Sequence, residues 1–530
     1  MRALSIDNLN LLITNIELYF SMSNKKILKN TVSLYIRQII IILITLYSMR
    51  VILNELGIED YGVYSVVTGF VTLLTFLPGS MASATQRFFS FAMGKKDILK
   101  LKKTFSVNLI MYVIIALLTY ALLQTLGLWY IKEYLKIPDT RFNAALELYH
   151  YTSISFVFSI FSAPFIAILI AHEDMHIYAL ISVVDAILKL SIAISLAYVN
   201  YDLLIYYGIS LFIISALIAC AYIYICIRKY TECQLRKFYW STTIFKEIIG
   251  FTTWTLLGQI STVFRNQAVT VLVNQMFNPS IVAARAIALN IASQVAVFSN
   301  NLNTGLYPPI IKSYASNQKN EMMSLIFNGS KLTFFLMWVF ALPMLLEMKT
   351  ILTLWLKNPP QEAILFTRLA IVESLILAIS MPLTTAARAP GKMALYEITL
   401  GSIQIAIFFV SWWVLSLGYS AESVFYVAIA ANLFMFQVRL LLVKYLISMP
   451  ILPYYKKVVG PVLVILIISV ILSVLLSNSL PRNLYTSLIV IIFSITTSTL
   501  AMYYLGLDQH WRRKTINVLT SKLLKFRGAK

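Results

Sequence analysis

The chain has 530 residues, 59% of them hydrophobic and only 12% charged, with a formal net charge of +21. A soluble domain carries about 25% charged residues, so one large soluble core is excluded. Apolar stretches of about 20 residues recur along the whole chain, each long enough to cross a hydrocarbon core of roughly 30 Å. The basic residues fall mainly in short connectors between these stretches. That makes the positive charge a topological signal and argues against a nucleic-acid partner.

Residues 1–30 read as a cytoplasmic N-terminal segment. Leu11–Ile13 and Ile16–Phe20 are apolar, but Asn15 and Glu17 interrupt them and no small-residue cleavage site follows, so this is not a signal peptide. Met22-Ser23-Asn24-Lys25-Lys26 looks like a natural start, and translation is expected to begin at Met22. An N-lobe over 31–229 then holds predicted spans at 31–53, 61–84, 104–130, 146–171, 176–199 and 202–227. A C-lobe over 230–446, with a cytoplasmic linker before it, holds spans at 247–273, 279–307, 330–347, 363–387, 393–417 and 421–443. Two further spans, 458–477 and 484–506, lie within 447–506, and a basic cytoplasmic tail occupies 507–530. The expected fold is therefore an all-α integral membrane protein of about fourteen spans. The stretch 61–84 contains Pro78 and Gly79, and 279–307 is unusually polar, which makes these the two weakest spans.

Lysine and arginine counts orient the chain. With the N-terminus in the cytoplasm, thirty of the 43 basic residues fall in inside segments and six in outside loops. Missing or inventing one early helix would collapse that bias, so both termini are expected in the cytoplasm. The chain also repeats itself. Ser162, Pro164, Ala171, Met175 and Tyr178 recur as Ser380, Pro382, Ala389, Met393 and Tyr396, while Val51, Asn54 and Glu55 recur as Val271, Asn274 and Gln275. The two offsets are nearly equal, and six spans separate the copies, so both halves share one orientation. Parallel repeats of this kind are known in alternating-access carriers.

Charges inside a membrane are costly and usually face a cavity or a partner. Asp185 and Lys189 sit one turn apart and are expected to neutralise each other, with a role in ion coupling as the alternative. Arg37, Arg265, Arg285 and Arg368 lie within spans of both lobes and are candidates for a cationic cavity, since arginine binds oxyanions through a planar fork of donors. Arg50 and Arg439 lie nearer span ends and read as snorkelling to headgroups. Gln38, Gln259, Asn266, Gln267, Asn290 and Asn300 are candidate polar lining, with helix–helix hydrogen bonding as the plainer explanation. Glu147, Glu373 and Glu397 are isolated carboxylates in separate spans. Glu373 and Glu397 join Asp185 and Lys189 as candidates for coupling to an ion.

Enzyme motifs are scarce. His172-Glu173-Asp174-Met175-His176 matches HExxH, but that motif binds zinc only on a helix, and here it falls in a turn between two spans. Its repeat copy, Ala389-Pro390-Gly391-Lys392-Met393, has no ligand residues. No metal site and no cofactor is expected. There is no Walker A loop and no GxSxG elbow. Cys220, Cys226 and Cys233 show no CxxC spacing.

Several segments carry a family resemblance. Asn30-Thr31 through Arg37, then Leu56-Gly57-Ile58-Glu59-Asp60-Tyr61-Gly62-Val63-Tyr64, resemble the Wzx-type polysaccharide and O-antigen flippases of the MOP exporter superfamily. Gln86-Arg87-Phe88-Phe89, the turn from Ile170 to Tyr178, and Tyr307-Pro308-Pro309-Ile310 are also similar. The resemblance implies two pseudo-symmetric six-helix bundles around a central cavity, with two additional C-terminal helices. It implies a substrate, an undecaprenyl-diphosphate-linked oligosaccharide, flipped across the cytoplasmic membrane by alternating access. A polysaccharide polymerase and chain-length machinery would be further partners, and an ion gradient would drive the cycle. Three readings compete with it. A multidrug exporter of the same superfamily would show twelve helices and buried acids. A membrane polymerase or glycosyltransferase would show a large outside loop or an acidic motif. A non-transporting scaffold would not need charges in its spans.

Overall fold

The structure is a computed structural model. The residues it describes are 30–506, apart from 31–32, 46, 53, 58–59, 65–66, 70, 72–73, 75, 135–136, 235–236, 278, 357–359 and 482. The expected start at Met22 and the basic tail from Arg512 lie outside the described residues.

Every regular element among the described residues is helical. Lipid offers no hydrogen bonds to a backbone, so a spanning segment must satisfy its own N–H and C=O groups, which a helix does. We number the long helices α1 (Ser33–Gly57), α2 (Phe76–Gly94), α3 (Ile98–Leu122), α4 (Phe142–Ala171), α5 (Met175–Ser195), α6 (Leu203–Lys229), α7 (Thr242–Met276), α8 (Pro279–Ala315), α9 (Lys319–Leu356), α10 (Gln361–Arg388), α11 (Ala394–Ser416) and α12 (Ser423–Ile447). The last two are α13 (Ile451–Ser479) and α14 (Leu484–Gly506).

Short polar residues start several of these helices. Asp97 accepts from the Lys100 N–H at 2.8 Å to cap α3, and Asp202 accepts from Leu204 and Ile205 to cap α6. Asn483 and Thr486 form a reciprocal capping box on α14.

Twelve helices among the described residues are long and apolar enough to cross a membrane. Two of the fourteen expected spans are not in that set. The stretch 61–84 falls partly outside the described residues. The stretch 247–273 is helical, as part of α7, but Lys246, Glu247, Gln259, Arg265, Asn266 and Gln267 make it too polar. The polar stretch from 279, by contrast, does qualify within α8.

The chain forms two compact units. The first comprises Met1–Leu256 and Thr304–Asn317, and the second Leu257–Asn303 and Gln318–Lys530. In the first unit α4 packs against α6, α2 and α3. Its core includes Phe89, Phe105, Phe165, Ile168 and Tyr222, and Phe105 meets Phe165 edge-on with centroids 5.9 Å apart. Opposite ends of α4 carry charged clusters. At its start, Arg141 binds Asp60 of the EDYG segment at 2.6 Å and the α6 cap Asp202 at 2.7 Å. Past its end, His172 meets Glu232 at 2.5 Å and stacks on Tyr230. Tyr230 donates to Asp174, which Lys229 also pairs with, and Lys312 pairs with Glu173. Glu173 has φ +62, so the HExxH stretch is broken by a left-handed residue in a turn.

In the second unit α10 packs between α9 and α12, and α14 lies along α9. Polar bonds attach the terminal pair to α9 at three levels. Lys331 donates to the Gly506 carbonyl at 3.2 Å, Trp338 Nε1 to Ser469 at 3.0 Å, and Ser487 to Glu347 at 2.7 Å. Pro343 lies inside α9, and Glu347 just beyond it has non-helical φ −105 and ψ 26. Arg368 of α10 donates to the Leu346 carbonyl beside that break, at 3.1 Å.

Candidate functional site

The main concentration of buried polar groups in the second unit lies between α7, α10, α11 and α12. Arg265 of α7 is 9% exposed. Its Nη2 donates to Glu373 Oε1 of α10 at 2.8 Å, and its Nη1 to Gln404 Oε1 of α11 at 3.2 Å. Asn432 of α12 donates to the same Glu373 oxygen at 3.0 Å. Four helices thus meet at one ion pair. Two charges removed from water are tolerated only when paired and hydrogen-bonded, and this set supplies both conditions.

Local sequence explains how α7 and α11 come so close. Gly258, Ser261 and Arg265 occupy one face of α7, and Glu397, Gly401 and Gln404 one face of α11. The faces meet in register: Gly258 against Glu397, Ser261 against Gly401, and Arg265 against Gln404. Each glycine sits where its partner leaves no space for a side chain. The two helices therefore run parallel, as their positions in the chain require.

Arg285 of α8 is 5% exposed and donates to the Thr270 hydroxyl of α7. Arg439 of α12 is also buried and donates to Ser380 of α10. Snorkelling would have left Arg439 at the surface, so the sequence expectation for it is replaced by an interhelical bond. Arg368 lies apart, at the α9 break.

In the first unit, Arg37 lays its guanidinium over the Tyr178 ring of α5, 4.7 Å from its centroid, with a long 3.5 Å contact to Gln38. Asp185 and Lys189 pair at 2.8 Å. Among the candidate amides, Gln259 and Asn266 are half-buried, and Gln267, Asn290 and Asn300 are exposed. Sequence reasoning did not single out Gln404, Asn432, Thr270 or the two glycines, and it named Ser380 only as a repeat position. The available signal was the pair of stripes on α7 and α11, in which small and polar residues recur at steps of three and four.

The MatE family profile matches residues 34–195 and again 255–412. The chain belongs to the MatE family. It is similar in fold to an outward-facing multidrug resistance MATE family transporter of the MOP superfamily, with a TM-score of 0.69 at 15% identity over 80% of this chain and 96% of that one. A MATE in a bent conformation matches with a TM-score of 0.70 at 14% identity, covering the same shares. A MOP superfamily transporter from Pyrococcus furiosus, described as having a binding pocket of reverse polarity, matches with a TM-score of 0.63 at 16% identity, over 79% of this chain and 96% of that one. No curated protein matches the chain in sequence.

The fold is thus MATE-like, all-helical, with two pseudo-symmetric halves, and the chain is a multi-pass membrane transporter rather than an enzyme. These matches correct the expectation of a flippase for lipid-linked sugars: the family model that matches is MatE, and a solved protein of like fold is described as a multidrug resistance MATE family transporter. The physical reason is visible in the site. Counting intramembrane arginines treats each as an open charge, yet Arg265 is compensated by Glu373. Of the marks set for a multidrug exporter, buried acids are present, the carboxylates Glu373 and Glu397.

Proposed function

We propose that this MatE-family chain is an alternating-access exporter of organic compounds, of the multidrug type, in the cytoplasmic membrane of a bacterium. The observation that carries the reading is the repeat of the family profile in both halves of the chain. The excess of basic residues in alternate connectors supports placing both ends on the cytoplasmic side. Within each unit, Arg37, Arg265 and Arg285 are our candidates for residues that meet the solute. Glu373 and Glu397 are our candidates for carboxylates that couple transport to an ion gradient, being buried where a change in their charge is felt by neighbouring helices.

The polarity of the solute is the open variable. One similar transporter is described as having a pocket of reverse polarity that suggests a different function, so the test covers both signs of charge. The full chain is expressed in a bacterial strain lacking its own major exporters, and membrane insertion is verified. Accumulation of cationic, neutral and anionic dyes is then measured with and without collapse of the ion gradients. The expected result is lowered accumulation of at least one dye, abolished when the gradients collapse. Unchanged accumulation of every dye by a correctly inserted protein would sink the exporter reading.

A further inference from the structure

The second unit holds a buried cation that its own acids do not neutralise. Arg265 and Glu373 form one ion pair and cancel. Arg285 lies close enough to Arg265 and Glu373 to feel both charges, but it forms no ion pair with any described residue. Its hydrogen-bond partner is a neutral hydroxyl, that of Thr270. Its Nε is buried and has no hydrogen-bond partner. The group of three therefore carries one net positive charge, shielded from solvent and set among helices.

Snorkelling does not account for this arginine. A guanidinium reaching for headgroups is exposed at its tip, whereas Arg285 is 5% exposed and its fork turns inward to α7. Leaving a charged donor unsatisfied in a low-dielectric setting is expensive, and the usual remedy is an opposite charge that brings its own acceptors. A planar oxyanion group matches the guanidinium fork in both respects. The one net positive charge of the group attracts an anion and discriminates against ammonium groups.

We propose that Arg285, with Thr270 beside it and the Arg265–Glu373 pair near it, forms a site in the second unit for one oxyanion group, a carboxylate or sulfonate, carried by an organic solute. The proposal rests on the exporter reading for its solute, since it names the class of compound that would be carried. Thr270 orients the guanidinium, and the unpartnered Nε together with the remaining fork hydrogens receives the anion. Glu373 keeps Arg265 in place and limits the net charge to one, which suits a monoanion better than a diphosphate.

The test uses the purified full chain in lipid nanodiscs and its thermal unfolding midpoint. Benzoate is the probe, with benzyltrimethylammonium as the charge-reversed analogue and sulfate as the inorganic oxyanion, all at constant ionic strength. Benzoate is expected to raise the midpoint saturably and benzyltrimethylammonium to leave it unchanged. Arg285→Gln should weaken the benzoate response by about tenfold or more, as expected for loss of a charged hydrogen-bond partner, and Arg285→Lys should fall between. Arg228→Gln, at the far end of α6, should match the parent. If Arg285→Gln does not fold, Thr270→Val takes its place and should weaken the response by a smaller factor. No benzoate response in the parent, or an undiminished one in the variants, overturns the site. A sulfate response equal to that of benzoate overturns the organic solute in favour of a free inorganic anion. Failure of dye export with benzoate binding intact would count against the exporter reading and leave the site standing.

Discussion

Gly258 of α7 lies directly against the carboxyl group of Glu397 on α11, so close that a Cβ placed on Gly258 would come within 2.8 Å of Glu397 Cδ. One turn on, the same relation is reversed, with Gly401 of α11 facing the Ser261 hydroxyl of α7. The two helices exchange a glycine and a polar side chain at successive levels, and the Arg265–Gln404 bond closes the series.

Gly258→Ala should therefore make the Glu397 carboxyl turn aside; as that group is the far end of a flexible side chain, the cost should fall below the about 1–3 kcal/mol of overpacking a rigid contact. A slightly lower unfolding midpoint in detergent is expected. Gly258→Ala combined with Glu397→Gln would not relieve it, because the amide has the same volume, whereas Glu397→Ala in the same background should.

The Arg265–Glu373 pair predicts a strongly non-additive mutant cycle. Removing one partner of a buried pair leaves a bare charge and costs about 3–5 kcal/mol, while replacing both by apolar residues can be close to neutral. Arg265→Met and Glu373→Leu should each be poorly stable, and the double variant should recover most of the loss. Transport by the double variant then separates a positioning role from a functional one. Full transport would remove both residues from the working site.

Glu232, in the linker after α6, predicts an acid limit on stability. Burial by itself raises its carboxyl pKa, but the hydrogen bond from His172, a backbone N–H, and the charges of His172 and Lys102 outweigh burial, and the net shift is downward. A carboxyl lowered in the folded state stabilises the protein above its ordinary range and loses that contribution as pH falls through the folded value. Unfolding midpoints should thus be insensitive to this group near neutrality and drop on acidification below the ordinary carboxylate range. Glu232→Gln should lower the neutral midpoint and flatten the acid limb.

Arg141 bridges Asp60 and Asp202, and its loss leaves two carboxylates facing each other. The three side chains are partly exposed, which discounts the interaction, and we expect Arg141→Ala to cost about 1–2 kcal/mol. Asp60→Asn should cost less, since Asp202 still holds the arginine. Unfolding midpoints measured at low and high salt test this, and salt should reduce the difference between the two variants.

The membrane class, the repeat and most of the spans were legible because they rest on hydropathy and spacing, which are properties of the chain itself. Arg265 and Arg285 stood out because a charge in an apolar run is conspicuous. What Arg265 binds was not legible. Glu373, Gln404 and Asn432 are 108, 139 and 167 residues away in sequence, and only the packing of four helices brings them together. Arg439 was misjudged for a similar reason: its place near a span end points to a headgroup, but Ser380 on α10 reaches it first. The function was misread at the same step, since a charge counted without its counter-charge overstates the field it creates. The α7 helix was legible as the span 247–273, although the polar residues that build the site keep it out of the set apolar enough to cross a membrane.

The bonds from Lys331, Trp338 and Glu347 to the terminal hairpin make the last two helices hard to discard. A chain cut back after α12 would leave an amine, an indole N–H and a carboxylate on α9 without these partners. Shortening the chain at this point would require rewriting one face of α9, because that face depends on the hairpin for its hydrogen-bond partners.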